Sequence, residues 1–262
     1  MKKFRLLFVG ASQFGLNCLE SILGLNEVEI VGIISNKNSF TISYNKTGVN
    51  NVLFVDFEQI ALNYSIPFYR MEENMKEKKL LAFIEKCEAN WGLVVGWYHM
   101  IPSFLLQKFP FAGLHASLLP NYSGGAPLVW AIINGETKTG ITFFLFDKGV
   151  DSGDIIGQKE VFIGQKDNIK TLYDKIEVVG IELLKENLPL IANGTVVYTK
   201  QDESKRRIFP QRKPEDGLID WSWDAEKIKN FIRAQTKPYP GAYTIIENKK
   251  VTIWNADIEE IK

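Results

Sequence analysis

Along roughly its first hundred residues the chain alternates short, nearly unbroken apolar runs with stretches whose apolar residues recur at helical spacing. No other feature restricts the fold as much. The runs are Leu6-Leu7-Phe8-Val9, Glu29 to Ile34, Val52 to Phe54, Ile66 to Tyr69 and Trp91 to Gly96. Between them Phe14, Cys18, Leu19, Ile22 and Leu23 share one helix face, and Leu80, Leu81, Ile84 and Cys87 share another within Lys76 to Cys87. This βαβα order predicts an α/β fold: a largely parallel, twisted sheet with helices on both faces. In such sheets ligands gather outside the carboxyl ends of the strands.

Three stretches that follow strands carry Gly or Pro beside polar groups: GWYHMIP over Gly96 to Pro102, GLHASLLPNYSGGAP over Gly113 to Pro127, and DKGVDSGD over Asp147 to Asp154. The second leads into a helix over Leu128 to Asn134 that ends at Gly135. A hairpin of Ile141 to Phe146 with Ile155 to Ile163 holds the third. After a long helix, Thr171 to Ala192, the chain changes character, with a basic run, PEDGLIDW, a short helix from Ala225, PYPGAY and a last strand near Val251 to Trp254. The expected division is a core over 1–198 and a small β-containing subdomain over 199–262.

Lys+Arg and Asp+Glu are 31 each, so there is no global field to gather phosphate backbones, and nucleic-acid binding would need a local patch. No apolar run approaches the length of a bilayer crossing, and no membrane partner is expected. Cys18 and Cys87 sit at helical apolar positions, which suits buried thiols in a reducing, cytoplasmic compartment. Two histidines and no CxxC leave no metal-ligand cluster, so no metal is expected.

The turn Gly10 to Gly15 stands where a dinucleotide fingerprint would, but its middle position is Ser12, and close pyrophosphate approach wants glycine there. A tight strand-to-helix turn, at most brushing a substrate phosphate, is the better reading. His115 ends an apolar strand and precedes a Pro/Gly loop, which favours an acid-base role over a satisfied core histidine. Asp147, Asp151 and Asp154 share one Gly-containing turn, and turn chemistry accounts for any of them. One of the three, placed beside His115, would hold the imidazole charged and oriented.

The segment HASLLPNYSGGAPLVWAIINGETKTGITFFLFDKGVDSGDII resembles the core of the folate-dependent formyltransferases. It has, in order, a His followed by x-Ser-Leu-Leu-Pro, a Gly-rich loop, a helix with Trp and Gly, and a later Asp-x-Gly-x-Ile. PEDGLIDW and IRAQTKPYPGAY are similar to the linker and small C-terminal region of longer members. The resemblance implies a Rossmann-like fold, N10-formyltetrahydrofolate as donor, and attack of an amine on the formyl carbon through a tetrahedral oxyanion. It implies that His115 is catalytic and that Asp151 orients it. It places Ser117, Leu118, Leu119 and Pro120 on the folate side, and puts Gly96, Trp97, Tyr98, His99, Met100, Phe146, Gly149 and Val150 in segments that surround the pterin. One position departs from the pattern. The family has Asn two residues before the His, and Gly113 stands there. That Asn is an amide donor to the oxyanion, worth on the order of 3 kcal/mol. Water, a neighbouring group or His115 itself is expected to carry that load. The favoured expectation is a water-filled gap, in which Gly113→Asn would keep or raise turnover, whereas another group in that space would make the Asn collide and lower activity.

The amine is read from length and charge. A chain of 262 residues, with only Lys37 and Lys46 between Asn36 and Asn51 and no net charge, argues against an initiator methionyl-tRNA acceptor. The PEDGLIDW region argues against a purine-pathway acceptor. What remains is a nucleotide-linked amino sugar, a dTDP sugar in particular, with no nucleic-acid partner. On this reading Ser12, Tyr122, Gly124, Arg207, Arg212 and Tyr239 line the acceptor side, arginine for pyrophosphate and aromatic rings for the base. The protein is expected to be a homodimer. The alternatives are a methionyl-tRNA formyltransferase and a non-catalytic folate-binding relative.

Overall fold

The structure, a computed structural model, describes residues 4–42, 45–50 and 54–261. Its elements begin with β1 (Phe4–Gly10), α1 (Gln13–Ile22), β2 (Val28–Ser35), an antiparallel pair β3 (Ser39–Ile42) and β4 (Asn45–Asn50), α2 (Glu58–Asn63), β5 (Phe68–Arg70) and α3 (Lys78–Cys87). There follow β6 (Trp91–Val95), α4 (Ser103–Leu106), β7 (Phe111–His115), β8 (Ser123–Gly124), α5 (Pro127–Ile133), β9 (Lys138–Leu145), β10 (Ile155–Phe162) and α6 (Ile169–Ala192). The chain closes with β11 (Ile208–Phe209), α7 (Ala225–Arg233), β12 (Ala242–Ile246) and β13 (Lys249–Ile253). Of the expected run Val52 to Phe54, residues 52 and 53 lie outside the described residues, while Phe54 bridges to Ser12.

Seven strands form one sheet in the order β10-β9-β7-β6-β1-β2-β5. β1 pairs parallel with β2 and with β6, β2 with β5, and β6 with β7. The chain runs outward from β1 to β2 and β5, then crosses back to β6 and β7 on the other side. Strand order therefore reverses between β1 and β6, the place where an α/β sheet opens a crevice at its carboxyl edge. Leu6, Leu7, Phe8 and Val9 are all fully buried, as a strand covered on both faces requires. α1 starts where the Ser12 hydroxyl accepts from Gly15 N at 3.2 Å, and it buries Gly15, Cys18, Leu19 and Ile22 on one stripe. Leu7, Val9, Ile34, Leu80, Ile84, Cys87 and Val94 pack as one cluster.

The chain divides into two compact units. One comprises Met1–Leu114, Phe143–Gly157 and Gly180–Lys200; the other comprises His115–Thr142, Gln158–Val179 and Gln201–Lys262. Within the second, the Asp224 side chain caps α7 through Lys227 N at 2.7 Å, and Ile219, Phe231, Ile232 and Ala242 form a small core beside the β12-β13 pair. Among the described residues no helix is long and apolar enough to cross a membrane. The parallel sheet agrees with the sequence reading, and β13 with the expected last strand near Val251 to Trp254; its partner β12 was not expected. α2, α4 and the two-residue strands β8 and β11 do not appear in that reading, because elements this short complete too little of a period to leave a pattern.

Candidate active site

In the first unit the loops after β1 and β6 meet. Ala11 N donates to Gly96 O at 3.2 Å, and Gly96 has φ +63. A Cβ on Gly96 would lie 1.8 Å from Ser12 Oγ, so only glycine fits. Ser12 is buried, and its hydroxyl is engaged in capping α1. Further along the loop, Trp97 Nε1 is a buried donor with no hydrogen-bond partner, as is the hydroxyl of Ser35 at the end of β2. Orphaned buried polar atoms are uncommon and mark places where a ligand or water completes the structure. Met100 is exposed, whereas His99 is half-buried with its ring 5.4 Å from that of Trp97.

Asn36, which the sequence reading passed over, fixes His99. Its Oδ1 accepts from Lys37 N at 2.8 Å, which turns its amide nitrogen toward His99 Nε2, also at 2.8 Å. Nε2 therefore accepts, and the ring is neutral with its proton on Nδ1. Burial holds the His99 pKa below its ordinary 6.5. The native state then binds fewer protons than the unfolded chain. Its stabilising contribution is complete above pH 6.5 and is lost as pH falls through the folded value. Between pH 8 and 5 the thermal midpoint of the wild type is expected to drop more steeply than that of His99→Gln. Parallel curves would disprove this.

Gly113 lies in β7 opposite Val94 of β6. A Cβ there would meet Phe146 Cζ at 2.6 Å and the Val94 carbonyl oxygen at 2.7 Å. The expected water-filled gap is therefore corrected: an aromatic ring and a neighbouring strand occupy it. In the turn after β9, Asp147 is exposed and accepts from Gly149 N at 2.8 Å and from the Ser152 hydroxyl, which is ordinary turn chemistry. Val150 is exposed. Asp151 is half-buried in the left-handed region, φ +52, a conformation that Asp and Asn tolerate better than other side chains.

In the second unit the loop from His115 to Ala126 is clamped at many points. His115 Nε2 lies 2.8 Å from the Tyr122 carbonyl. A carbonyl only accepts, so Nε2 carries a proton. Ser117 Oγ donates to Asn121 O at 2.7 Å, and the buried Thr142 hydroxyl donates to Ser117 O at 2.6 Å. Thr142 Oγ1 also accepts from Leu119 N at 3.1 Å and from Gln158 Nε2 at 2.8 Å, and Gln158 Nε2 donates to Leu119 O at 3.0 Å. The Leu119-Pro120 bond is cis. Tyr122, Gly124 and Ala126 all have positive φ, at +55, +92 and +48. Two non-glycine residues held in that region within five positions are the kind of strain that a surrounding network must enforce.

Tyr122 is buried and anchors that network. Its ring stacks on Phe209 at 4.5 Å, its hydroxyl donates to Glu136 at 2.6 Å, and Asn134 Nδ2 donates to the hydroxyl at 3.1 Å. Burial and the bond to Glu136 push its pKa up to about 12. Arg207 lies over the Tyr122 ring at 5.3 Å and donates to Asn121 Oδ1 at 2.6 Å. Gly124 pairs with Phe209 between β8 and β11. The structure thus gathers His115, Ser117, Leu119, Tyr122, Gly124 and Arg207 into one cluster. It places Arg212 and Tyr239 in a different setting, lining a cavity beside Gln235. Thr142, Glu136 and Gln158 were missed; a threonine inside the apolar run ITFFLF was the one signal available for them.

The model of the formyl transferase family matches residues 3–188, and that of the formyl transferase C-terminal domain matches 212–262. A methionyl-tRNA formyltransferase of Geotalea uraniireducens is 33% identical over 97% of this chain and 79% of its own length. One from Citrifermentans bemidjiense is 33% identical over 97% and 78%. A solved 4-N formyltransferase from Francisella tularensis superposes with a TM-score of 0.76 at 22% identity, covering all of both chains, a likeness of fold. These relatives overturn the expected nucleotide-linked amino sugar and the expected absence of a nucleic-acid partner: the proteins that match along the chain are named for a tRNA substrate. The error lies in reading the acceptor from chain length, a sparsely basic early segment and net charge, none of which reports a local site. Net charge averages over the molecule, whereas phosphates respond to local patches within a Debye length.

Proposed function

The chain belongs to the formyl transferase family, and on that premise we propose that its acceptor is the amino group of methionyl-tRNA. It is an enzyme of a family that uses N10-formyltetrahydrofolate. The observation that carries the choice of acceptor is the match to a methionyl-tRNA formyltransferase over 97% of this chain and 79% of that relative. The loop after β6 suits the folate: a glycine-only backbone at Gly96 allows close approach, and Trp97 Nε1 is a buried donor lacking an acceptor. Residues Gly96 to Met100 and Ser117 to Pro120 are those we assign to holding it, together with Phe146, Gly149 and Val150. When bound, it supplies the formyl carbon.

We assign proton transfer to His115. With Nε2 tied to the Tyr122 carbonyl, Nδ1 is the atom that takes or returns a proton. Asp151 is assigned to orienting His115 and helping proton removal from the amine. The clamps on Ser117 and Leu119 restrain the loop that carries His115, so little reorganisation is needed during reaction. The site is read as cytoplasmic, in keeping with the buried thiols Cys18 and Cys87. Incubation with N10-formyltetrahydrofolate and methionyl-tRNA is expected to give N-formylmethionyl-tRNA. Turnover of donor with other amines but none with methionyl-tRNA would refute the acceptor assignment.

A further inference from the structure

We propose that the second unit carries a binding site for a phosphate group, built on Arg212 and Lys213 and separate from the His115 cluster. The site is a cavity of about 70 Å³ lined by Arg212, Lys213, Pro214, Gln235, Tyr239, Pro240 and Gly241. That is space for several water-sized groups. Two of these residues are cations and none is a carboxylate.

Arg212 is half-buried, and its guanidinium hydrogen-bonds only to neutral groups. Nη2 donates to the Asp216 backbone oxygen at 2.6 Å and to Gln235 Oε1 at 2.8 Å. The Trp130 and Phe231 rings face it at 4.8 and 5.5 Å. The Asp216 carboxylate accepts from Lys213 N at 2.7 Å and acts on Arg212 only through space. Nε and Nη1 keep donors for a ligand. Partly buried charge is ordinarily paired, and here burial lowers the Arg212 pKa while Asp216 offsets it only through space, so an anion entering the cavity would supply the direct partner that no carboxylate provides. The clamped Nη2 and the flanking rings fix the guanidinium plane before any ligand arrives. Such a preset fork, with a lysine at the same cavity, fits a group that offers several oxygens at once, which is what phosphate does.

Gln235 is held in turn, its Nε2 donating to Phe231 O at 3.0 Å, and the Tyr239 hydroxyl lies 2.9 Å from that of Tyr173. The walls are thus fixed by their own contacts and do not depend on the ligand for their shape.

Sodium phosphate, titrated against sodium chloride at matched ionic strength, tests the site. Phosphate is expected to raise the thermal midpoint of the wild type saturably. Affinity should fall by about tenfold or more in Lys213→Glu, whose side chain is exposed, and in Arg212→Met. If Arg212→Met does not fold, Lys213→Glu decides. An equal rise in wild type and Lys213→Glu, or none in the wild type, would overturn the proposal. A short RNA oligonucleotide that displaces inorganic phosphate assigns the site to a nucleic-acid backbone. Phosphate binding that the oligonucleotide leaves untouched assigns it to the free ion. None of these readouts uses formyl transfer, so they stand or fall independently of the acceptor.

Discussion

His115→Ala is expected to reduce formyl transfer by about 10²–10⁴-fold while leaving binding of N10-formyltetrahydrofolate within a few-fold of wild type. The separation follows from what the side chain does. Its ring contacts the Tyr122 carbonyl, whereas the loop that follows is held by Thr142, Asn121 and Gln158, none of which the substitution removes. The charge at Asp151 needs a different variant. At φ +52, Asp151→Ala adds backbone strain to the loss of charge, but Asp151→Asn keeps a residue that tolerates the left-handed region. Asp151→Asn should therefore lose turnover by about a hundredfold or more with an unchanged thermal midpoint. Single-turnover kinetics and calorimetry with the folate check both variants. Full activity in His115→Ala would place the chemistry elsewhere.

The sheet was legible because strands buried on both faces read as near-continuous apolar runs, as Leu6 to Val9, Ile30 to Ile34 and Leu93 to Val95 do, with Arg5 and Glu29 confined to the strand beginnings. Two kinds of fact were not legible. The first is a contact set by register: that Gly113 faces Val94, with the Phe146 ring against it, depends on how β6, β7 and the end of β9 align, and no local pattern encodes that. The second is the partner. Arg207 and Arg212 lie a few residues apart in one basic run, yet one stacks on Tyr122 while the other opens on a cavity. The sequence shows the charge but not the direction in which each side chain is held. The acceptor was misread from chain length, the early segment and a balanced total of charges, and none of these says where each charge sits.

Gly113→Asn, the substitution that would restore the family amide, is expected to lower both stability and turnover. The new Cβ must displace two neighbours of different stiffness. The Phe146 ring, half-buried beside Phe144 at 5.2 Å between centroids, can turn on its own side-chain bonds. The Val94 carbonyl belongs to a central strand and can retreat only by opening the β6-β7 pairing. Overpacking of this kind costs about 1–3 kcal/mol. In a chain this size that is a fall in thermal midpoint of roughly 2–4 °C per kcal/mol. Because the obstacle is met at Cβ, Gly113→Ala should already show much of the loss. Adding Phe146→Ala to Gly113→Asn should recover only the part due to the ring. Melting curves and turnover for the three variants separate the contributions. A Gly113→Asn protein as stable as wild type and more active would show that the strands yield at low cost. Full recovery on removing the ring would show that the carbonyl was never the barrier. With neither result, this chain cannot host the family amide without moving a strand, and its oxyanion must be met by donors other than a side chain at position 113.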